Sequence, residues 1–450
     1  MEKDKTKENG LAPGDGGVGV GGDGIGIGGG GGVGSGGAGG GDSRKTVYIA
    51  SCPTYERQAV EAAVAEAVAG VGGWEKFVQP GQTVLVKPNL LYGASPDRCI
   101  TTHPEVVYAV AKALKELGCR VVIADSPGSA ILHQAHSIKK VYDAAGMTAV
   151  ATELGVELNL DTRSEQVRMH STSGGRMQVP FQVMTPVLTA DAVVVVSKAK
   201  THGFTYLSGA AKNLFGVIPG LEKTGFHARF PDRNDFARML VDLNELIKPR
   251  LQVVDAVVGM EGEGPSGGEK RHIGAILVGA DYTAVDVALA RIMSMDPARV
   301  GTIAAAVERG LVSPTFEDIS FIPSLEPYII PDFVHPSTYT YDYAGDDRHH
   351  RPRTAVGRIV SQRWRKLRHN SLGMFGRLYL PRPVLLADKC VGCGDCRRSC
   401  PVKAINWQNN RPEFKYKTCI KCYCCQEMCR KNAIKLEVSL LRRLMRRLPG

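Results

Sequence analysis

The 450-residue sequence contains no apolar run of about 18 residues, the length a helix needs to cross a bilayer, so no transmembrane segment is expected. The opening Met1-Glu-Lys-Asp-Lys-Thr-Lys-Glu8 lacks the apolar stretch of a secretory signal, and reduced cysteines then fit a cytoplasmic location. Aromatics are scarce, 6% with three tryptophans, and do not interleave with the basic residues; nucleic acid is therefore not an expected partner. Packing residues are nearly missing from 1–44, where twenty of the 52 glycines fall between Gly10 and Gly41. Such a segment cannot recover its ordering entropy and is expected to be a disordered tail. Its Gly32-Val-Gly34-Ser-Gly-Gly37 has the form of a dinucleotide fingerprint without the flanking strand and helix, so the match is accidental. Acidic residues are absent between Arg348 and Ala387, where ten Lys/Arg stand.

Cysteine is what the chain has in pattern. Cys390, Cys393, Cys396 and Cys400 repeat as Cys419, Cys422, Cys425 and Cys429, each 29 residues after its counterpart. The repeat continues beyond the thiols, with Ala404-Ile405 echoed by Ala433-Ile434. Zinc sites take four thiolates as two separated pairs, which leaves the third close cysteine of each set unexplained. The bacterial ferredoxin rule instead puts three close thiolates on one cubane and the fourth across the fold. It predicts two 4Fe–4S clusters, one on Cys390, Cys393, Cys396 and Cys429, the other on Cys419, Cys422, Cys425 and Cys400. Cys424 is left over, and Arg430 stands where a proline is expected. Cys52, Cys99 and Cys119 read as ordinary buried thiols.

The net charge of +11 belongs to this end: residues 388–437 carry eleven basic and five acidic side chains, and four arginines follow. An acidic electron-transfer protein steered by that field is the expected partner, with peripheral contact to an anionic membrane surface as the alternative.

From Lys45 onward short apolar strands alternate with amphipathic helices. Strands are expected at Thr46–Ala50, Thr83–Val86, Arg120–Ala124, Ala192–Val196, Gln252–Val254 and Ala275–Val278, with a hairpin near Val167–Phe181 turning at Ser173–Gly175. The fold class is α/β, a mostly parallel sheet covered by helices on both faces, plus a small α+β bacterial ferredoxin-like domain at the C-terminus. The expected organisation is a tail at 1–44, an α/β domain at 45–325, a basic linker at 326–387 with a helix near Ala355–Arg368, the two-cluster unit at 388–437, and a basic amphipathic helix at 438–450.

In such a sheet ligands bind beyond the carboxyl ends of the strands. Lys87-Pro-Asn89, Asp125-Ser-Pro-Gly128, Lys198-Ala-Lys200-Thr-His202 and Asp255 all follow strands, and Gly259–Gly268 with Glu261 reads as a lid or an anion nest. Lys87, Asn89, Asp125, Lys198, Lys212, Asn213 and Glu261 are the candidate ligands for a small anionic substrate. Lys200 and His202 are the candidate catalytic groups with Asp255 orienting them, His202 because its ordinary pKa lies near neutrality. Lys223 and His227 add donors. Asp125, Asp255 and Glu261 could also hold a divalent cation. A strand-end lysine is more often a solvated charge, and a strand-end aspartate is as often a helix cap.

The chain resembles the family known as domain of unknown function 362, whose members often carry a C-terminal two-cluster ferredoxin. The resemblance rests on Lys87-Pro-Asn-Leu90, Asp125-Ser-Pro-Gly128, Lys200-Thr-His202, Lys212-Asn-Leu-Phe-Gly216, Met260-Glu-Gly-Glu-Gly-Pro265, Asp281 with Ala284-Val-Asp286, and Cys419–Cys429. It implies the fold and the clusters but supplies no reaction. The expected function is an iron–sulfur oxidoreductase passing electrons from the ferredoxin end to a small anion at the strand-end rim. A non-catalytic electron-transfer adaptor is one alternative; a non-redox metal or phosphate site with structural or sensing clusters is the other.

Overall fold

A computed structural model describes residues 45–128, 130–168, 179–343 and 380–438. The expected tail, the turn at Ser173–Gly175, the helix near 355–368 and the closing helix after Val438 lie outside these residues. Strands β1 Lys45–Ser51, β2 Thr83–Lys87, β3 Arg120–Ile123, β4 Glu157–Leu158, β5 Ser164–Val167, β6 Phe181–Met184, β7 Ala192–His202, β8 Tyr206–Leu207, β9 Leu251–Glu261, β10 Glu269–Gly279 and β11 Ile319–Ile322 follow in chain order. Nine of them form one sheet in the order β11-β1-β10-β9-β7-β2-β3-β4, with β8 attached to β7. Only β10 and β8 run against the rest. β5 and β6 pair antiparallel on their own.

β7 lies inside this sheet and all eleven of its residues are buried. Its Val193–Val196 run explains this, because β-branched side chains suit a strand covered on both faces. One face packs Val84, Val86, Val194 and Val196 against apolar residues of helices Arg57–Gly70 and Pro104–Glu116. The other sets Leu85, Val193 and Val195 against Phe236, Met239 and Leu240 of helix Arg233–Ile247. Chain chemistry starts these helices: Pro104 sits in the first turn behind the His103 cap, and the Asp232 carboxylate accepts from Asn234 N at 2.9 Å.

Two expectations change. Gly259–Glu261 belongs to β9, which pairs with β10 as far as Glu261–Glu269, so the connecting loop is only 262–268. That loop is fastened, not free to close: Gly203 N donates to Gly264 O at 3.0 Å and Thr201 Oγ1 to Gly262 O at 2.9 Å. The segment after 325 also begins as part of the large domain, since Leu325, Phe333 and Tyr339 join its apolar core.

The small C-terminal unit has β12 Arg382–Leu385, β13 Ile405–Gln408, β14 Arg411–Phe414 and β15 Ile434–Glu437; β12 pairs with β15 and β13 with β14, both antiparallel. β12 lies ahead of the expected start at 388. The sequence repeat is a structural one. Ala404 N donates to Cys400 Sγ at 3.2 Å and Ala433 N to Cys429 Sγ at 3.1 Å, with left-handed Lys403 and Asn432 making the turns. The unit is seated on the large domain. Ser266 Oγ donates to Glu427 O at 2.8 Å, Gln426 Nε2 to Glu263 O at 2.8 Å, and Met428 shares an apolar cluster with Tyr92, Ile100 and Met260. Arg430, in the place of the expected proline, stacks 5.4 Å over the Tyr92 ring and lies 3.5 Å from Asp395.

Candidate functional site

The strand-end polar groups do not share one rim; they separate into two buried networks. In the first, Lys198 and Asp255 are register neighbours on β7 and β9, 1% and 0% exposed, with Nζ 2.8 Å from Oδ2. The Tyr55 hydroxyl accepts from Lys198 at 2.7 Å and donates to Asp255 Oδ1 at 2.8 Å, and His103 N completes Oδ2 at 2.9 Å. Asp255 therefore orients Lys198, not Lys200 or His202, and neither member lines the cavity described below. Glu261 is elsewhere again: Oε2 accepts from Val334 N at 3.0 Å and Oε1 lies 3.8 Å from Arg271. Asp125, Asp255 and Glu261 are thus held by three different partners. Among the described residues no three His, Cys, Asp or Glu gather for a single metal ion, so the expected cation cluster does not form.

The second network surrounds a cavity of about 60 Å³, room for a few water-sized groups. Its walls bring together Lys87, Asn89, Asp125, Lys200, His202, Lys212 and Asn213 from the expected set, with Lys223 and His227. Lys87 Nζ meets Asp125 Oδ1 at 2.7 Å and Asn213 Oδ1 at 3.2 Å; Leu90 N donates to Asp125 Oδ2 at 3.1 Å. Burial draws the pair's pKa values together, Lys87 down and Asp125 up, while their contact opposes both shifts. Gly216 makes this pair possible, because a Cβ there would sit 2.2 Å from Asp125 Oδ1.

The short helix Ala210–Asn213 delivers Lys212 and Asn213. Asp286 holds its first turn, accepting from Ala210 N at 2.6 Å and Ala211 N at 3.2 Å, while Asp281 caps helix Tyr282–Ile292 through Ala284 N at 2.8 Å. These contacts account for both aspartates of the Asp281–Asp286 motif.

Counting hydrogens shows what the cavity can hold. Each ammonium has three. Lys87 directs its hydrogens at Asp125, Pro88 O and Asn213; Lys223 directs its own at Ser126, Pro127 O and Ile218 O. Lys200 bonds Asn89 Oδ1 at 2.8 Å and Ile100 O at 2.6 Å, leaving one hydrogen. Lys212, 5.1 Å over the Phe215 ring, makes no hydrogen bond to the described residues. His202 Nδ1 accepts from Phe204 N at 3.0 Å and Thr205 N at 3.3 Å, so the ring proton sits on Nε2. That atom is buried without a hydrogen-bond partner, 3.6 Å from Glu427 Oε2.

Protonation reverses one expectation. Burial, then Lys212 and Lys200, pushes His202 well below 6.5, so it is a fixed neutral donor and not a group titrating near neutrality. Lys200 takes that part: burial pulls it down to about 7 against the pull of Glu427. Lys223 falls to about 7 and His227 to about 3, both chiefly through burial.

The remaining wall comes from the C-terminal unit, as Cys424 and Glu427 line the cavity. Neither was foreseen, since nothing local in Cys419–Cys429 says what that loop packs against. All eight cysteines of the repeat lie in the small C-terminal unit, where Cys396, Cys425 and Cys429 share one apolar cluster with Cys390 and Cys400 packed against it. Cys390, Cys393, Cys396 and Cys429 line one small cavity. Cys396 is pushed up to about 12, first by burial and then by Cys429, with Cys393 and Cys390 adding to the rise. Cys425, raised by burial, is raised further by Cys422, Cys419, Cys396 and Cys400. Clustered thiols that raise one another are the donor set a cationic iron centre inverts by deprotonating them. Cys424, outside both expected sets, is raised first by its hydrogen bond to Cys422 and then by burial.

Comparison with known proteins gives matches to two separate stretches of the chain. Residues 84–291 match the model of a domain of unknown function, DUF362, and residues 382–430 that of a 4Fe-4S dicluster domain. A thylakoid-associated protein of Synechocystis sp. is 32% identical over 278 residues, covering 62% of this chain and 83% of that protein. The lactate racemase apoprotein from Thermoanaerobacterium thermosaccharolyticum aligns with a TM-score of 0.36 at 13% identity, covering 56% of this chain and 58% of that one. The chain accordingly belongs to the DUF362 family and carries a 4Fe–4S ferredoxin-like domain at its C-terminus.

Proposed function

We propose that the protein binds two 4Fe–4S clusters and delivers electrons to a compact anion held in the cationic cavity. The first cluster is assigned to Cys390, Cys393, Cys396 and Cys429, the second to Cys419, Cys422, Cys425 and Cys400. The observation that carries this reading is the shared wall: Cys424, between two ligands of the second cluster, lines the same cavity as Lys200, His202 and Lys212. When bound, such clusters accept and release single electrons.

The chain's own residues supply the rest. Four lysines face the two carboxylates Asp125 and Glu427, an excess of positive charge that favours an anion. Lys212, the spare hydrogen of Lys200 and His202 Nε2–H are the donors left for it. Lys200, near neutrality in its pKa, is the proton donor to a ligand that gains electrons. Lys87, Asn89 and Asn213 position these groups; Lys198, Asp255 and Glu261 hold the scaffold.

Among the described residues no helix is long and apolar enough to cross a membrane. A cytoplasmic location suits the free thiols, and the relative's thylakoid association makes a membrane surface the place to compare it with.

The test is anaerobic purification with mass spectrometry of any co-purifying anion, followed by reoxidation of the dithionite-reduced protein by that anion. Lys200→Ala and Lys212→Ala should slow reoxidation while leaving the visible spectrum intact. Reoxidation by protein carriers alone, with no small anion acting, would favour the adaptor reading.

A further inference from the structure

The two thiol groups differ in what covers them. In the second, Cys422 and Cys425 are buried, and the loop carrying them is fixed to the large domain through Gln426, Glu427 and Met428. In the first, Cys393 is exposed and Val391 beside it is 61% exposed. A cleft of about 700 Å³ opens there, lined by Cys393, Arg397, Arg398, Lys403 and Trp407, with no carboxylate in its lining. Cys393, Gly394 and Trp407 also line the thiol cavity, so one thin wall separates the cleft from the first cluster's ligands. Arg398 is tied to Asp395 and to Cys393 O at 3.2 Å. Arg397 and Lys403 are exposed and pair with no carboxylate among the described residues.

We propose that this cleft is the docking surface for an acidic one-electron carrier protein, and that electrons reach the chain through the Cys393 side. Charge complementarity selects the occupant: the unpaired Arg397 and Lys403 line the cleft with the exposed thiol, and an acidic surface would neutralise them while excluding water from the gap. The step is one electron, leaving the carrier's reduced metal centre, which is oxidised by one, and arriving at the first cluster, which is reduced by one; no bond or proton changes place. Cys396 and Cys425 pack in one apolar cluster with Cys429, which puts the second group next in line toward the cationic cavity. The proposal rests on the iron–sulfur reading of the first thiol group and is independent of any ligand in the cavity.

The test uses anaerobically prepared holoprotein and a plant-type 2Fe–2S ferredoxin as the acidic probe, with binding measured by calorimetry at about 50 mM and about 300 mM salt. Wild type should bind at low salt and weaken at high salt. Arg397→Glu/Lys403→Glu should weaken binding at least about tenfold with the visible and paramagnetic spectra unchanged. Lys415→Glu/Lys417→Glu, exposed charges next to Cys419 on the other thiol group, should bind as wild type. Three results overturn the proposal: no binding of the acidic probe at low salt, a larger loss in the Lys415/Lys417 variant than in the Arg397/Lys403 variant, or Arg397- and Lys403-dependent binding to phosphatidylglycerol vesicles in place of the ferredoxin. Because the readout is binding, it stays separate from any reoxidation by a small anion.

Discussion

Replacing Lys87 with methionine keeps most of the side-chain stem and removes its charge. Lys87 and Asp125 are 0% and 3% exposed and 2.7 Å apart, so neither is screened by solvent. In Lys87→Met, Asp125 Oδ2 keeps the Leu90 N–H, but Oδ1 loses its ammonium inside the protein. Removing one member of a buried pair costs about 3–5 kcal/mol. The pH dependence gives the sign. Burial raises the Asp125 carboxyl, and the variant lacks the lysine that opposed the rise. Folded Lys87→Met therefore keeps a proton that the unfolded chain has already released, and its stability falls as pH climbs from the ordinary carboxylate range to the raised value. The deficit is smallest in acid and complete above that value. Urea melts of the anaerobic holoprotein followed by circular dichroism, from about pH 5 to about pH 8, read this out. Lys139→Met, which breaks an exposed pair with Asp143, is the control and should melt near wild type. A Lys87→Met deficit below about 1 kcal/mol, or one constant across that range, would refute the buried ion pair.

Gly216→Ala should destabilise by about 1–3 kcal/mol in the same melts, because its Cβ meets the Lys87–Asp125 pair; Gly225→Ala, which meets nothing within 4 Å, should not destabilise. Asp286→Ala leaves the Ala210 and Ala211 amides without an acceptor and should cost about 1–3 kcal/mol while weakening anion binding through Lys212 and Asn213. Anion affinity measured by calorimetry should be highest below about pH 7 and fall as pH rises through the Lys200 pKa, since only the protonated amine attracts the ligand; Lys200→Met should bind weakly at low pH with a shallower fall. Cys424→Ser should retain the wild-type iron content, whereas Cys422→Ser should lose iron.

The sequence showed the ferredoxin-like unit and the alternation of strands and helices because both signals are local, one a spacing of cysteines, the other a rhythm of apolar residues. It also brought Lys87, Asn89, Asp125, Lys200, His202, Lys212 and Asn213 into one candidate site, and the structure places them around one cavity. It could not tell that Lys198 and Asp255 cancel each other, because that follows from the register between β7 and β9, strands separated in the chain by three helices. His202 looked like a titrating group because its side chain is; the two backbone amides on Nδ1 and the depth of burial make it a fixed donor. Glu427 and Cys424 lie more than two hundred residues from Lys200, and only docking of the two units brings them to the cavity. Gly259–Gly268 read as a lid or an anion nest, yet 259–261 continue β9 and Thr201, Gln426 and the Glu427 backbone hold the loop that remains.

The shared wall has a consequence for how such a protein can change. A ferredoxin-like unit fused by a tether could be exchanged for another without disturbing its neighbour. Here a transplant would also have to reproduce Glu427 facing His202, Met428 filling the Tyr92 hollow and Ser266 reaching the Glu427 carbonyl. The two parts are therefore bound to vary together, and ligand preference should shift with substitutions in the cysteine loop as readily as with those in the lysine-bearing strands.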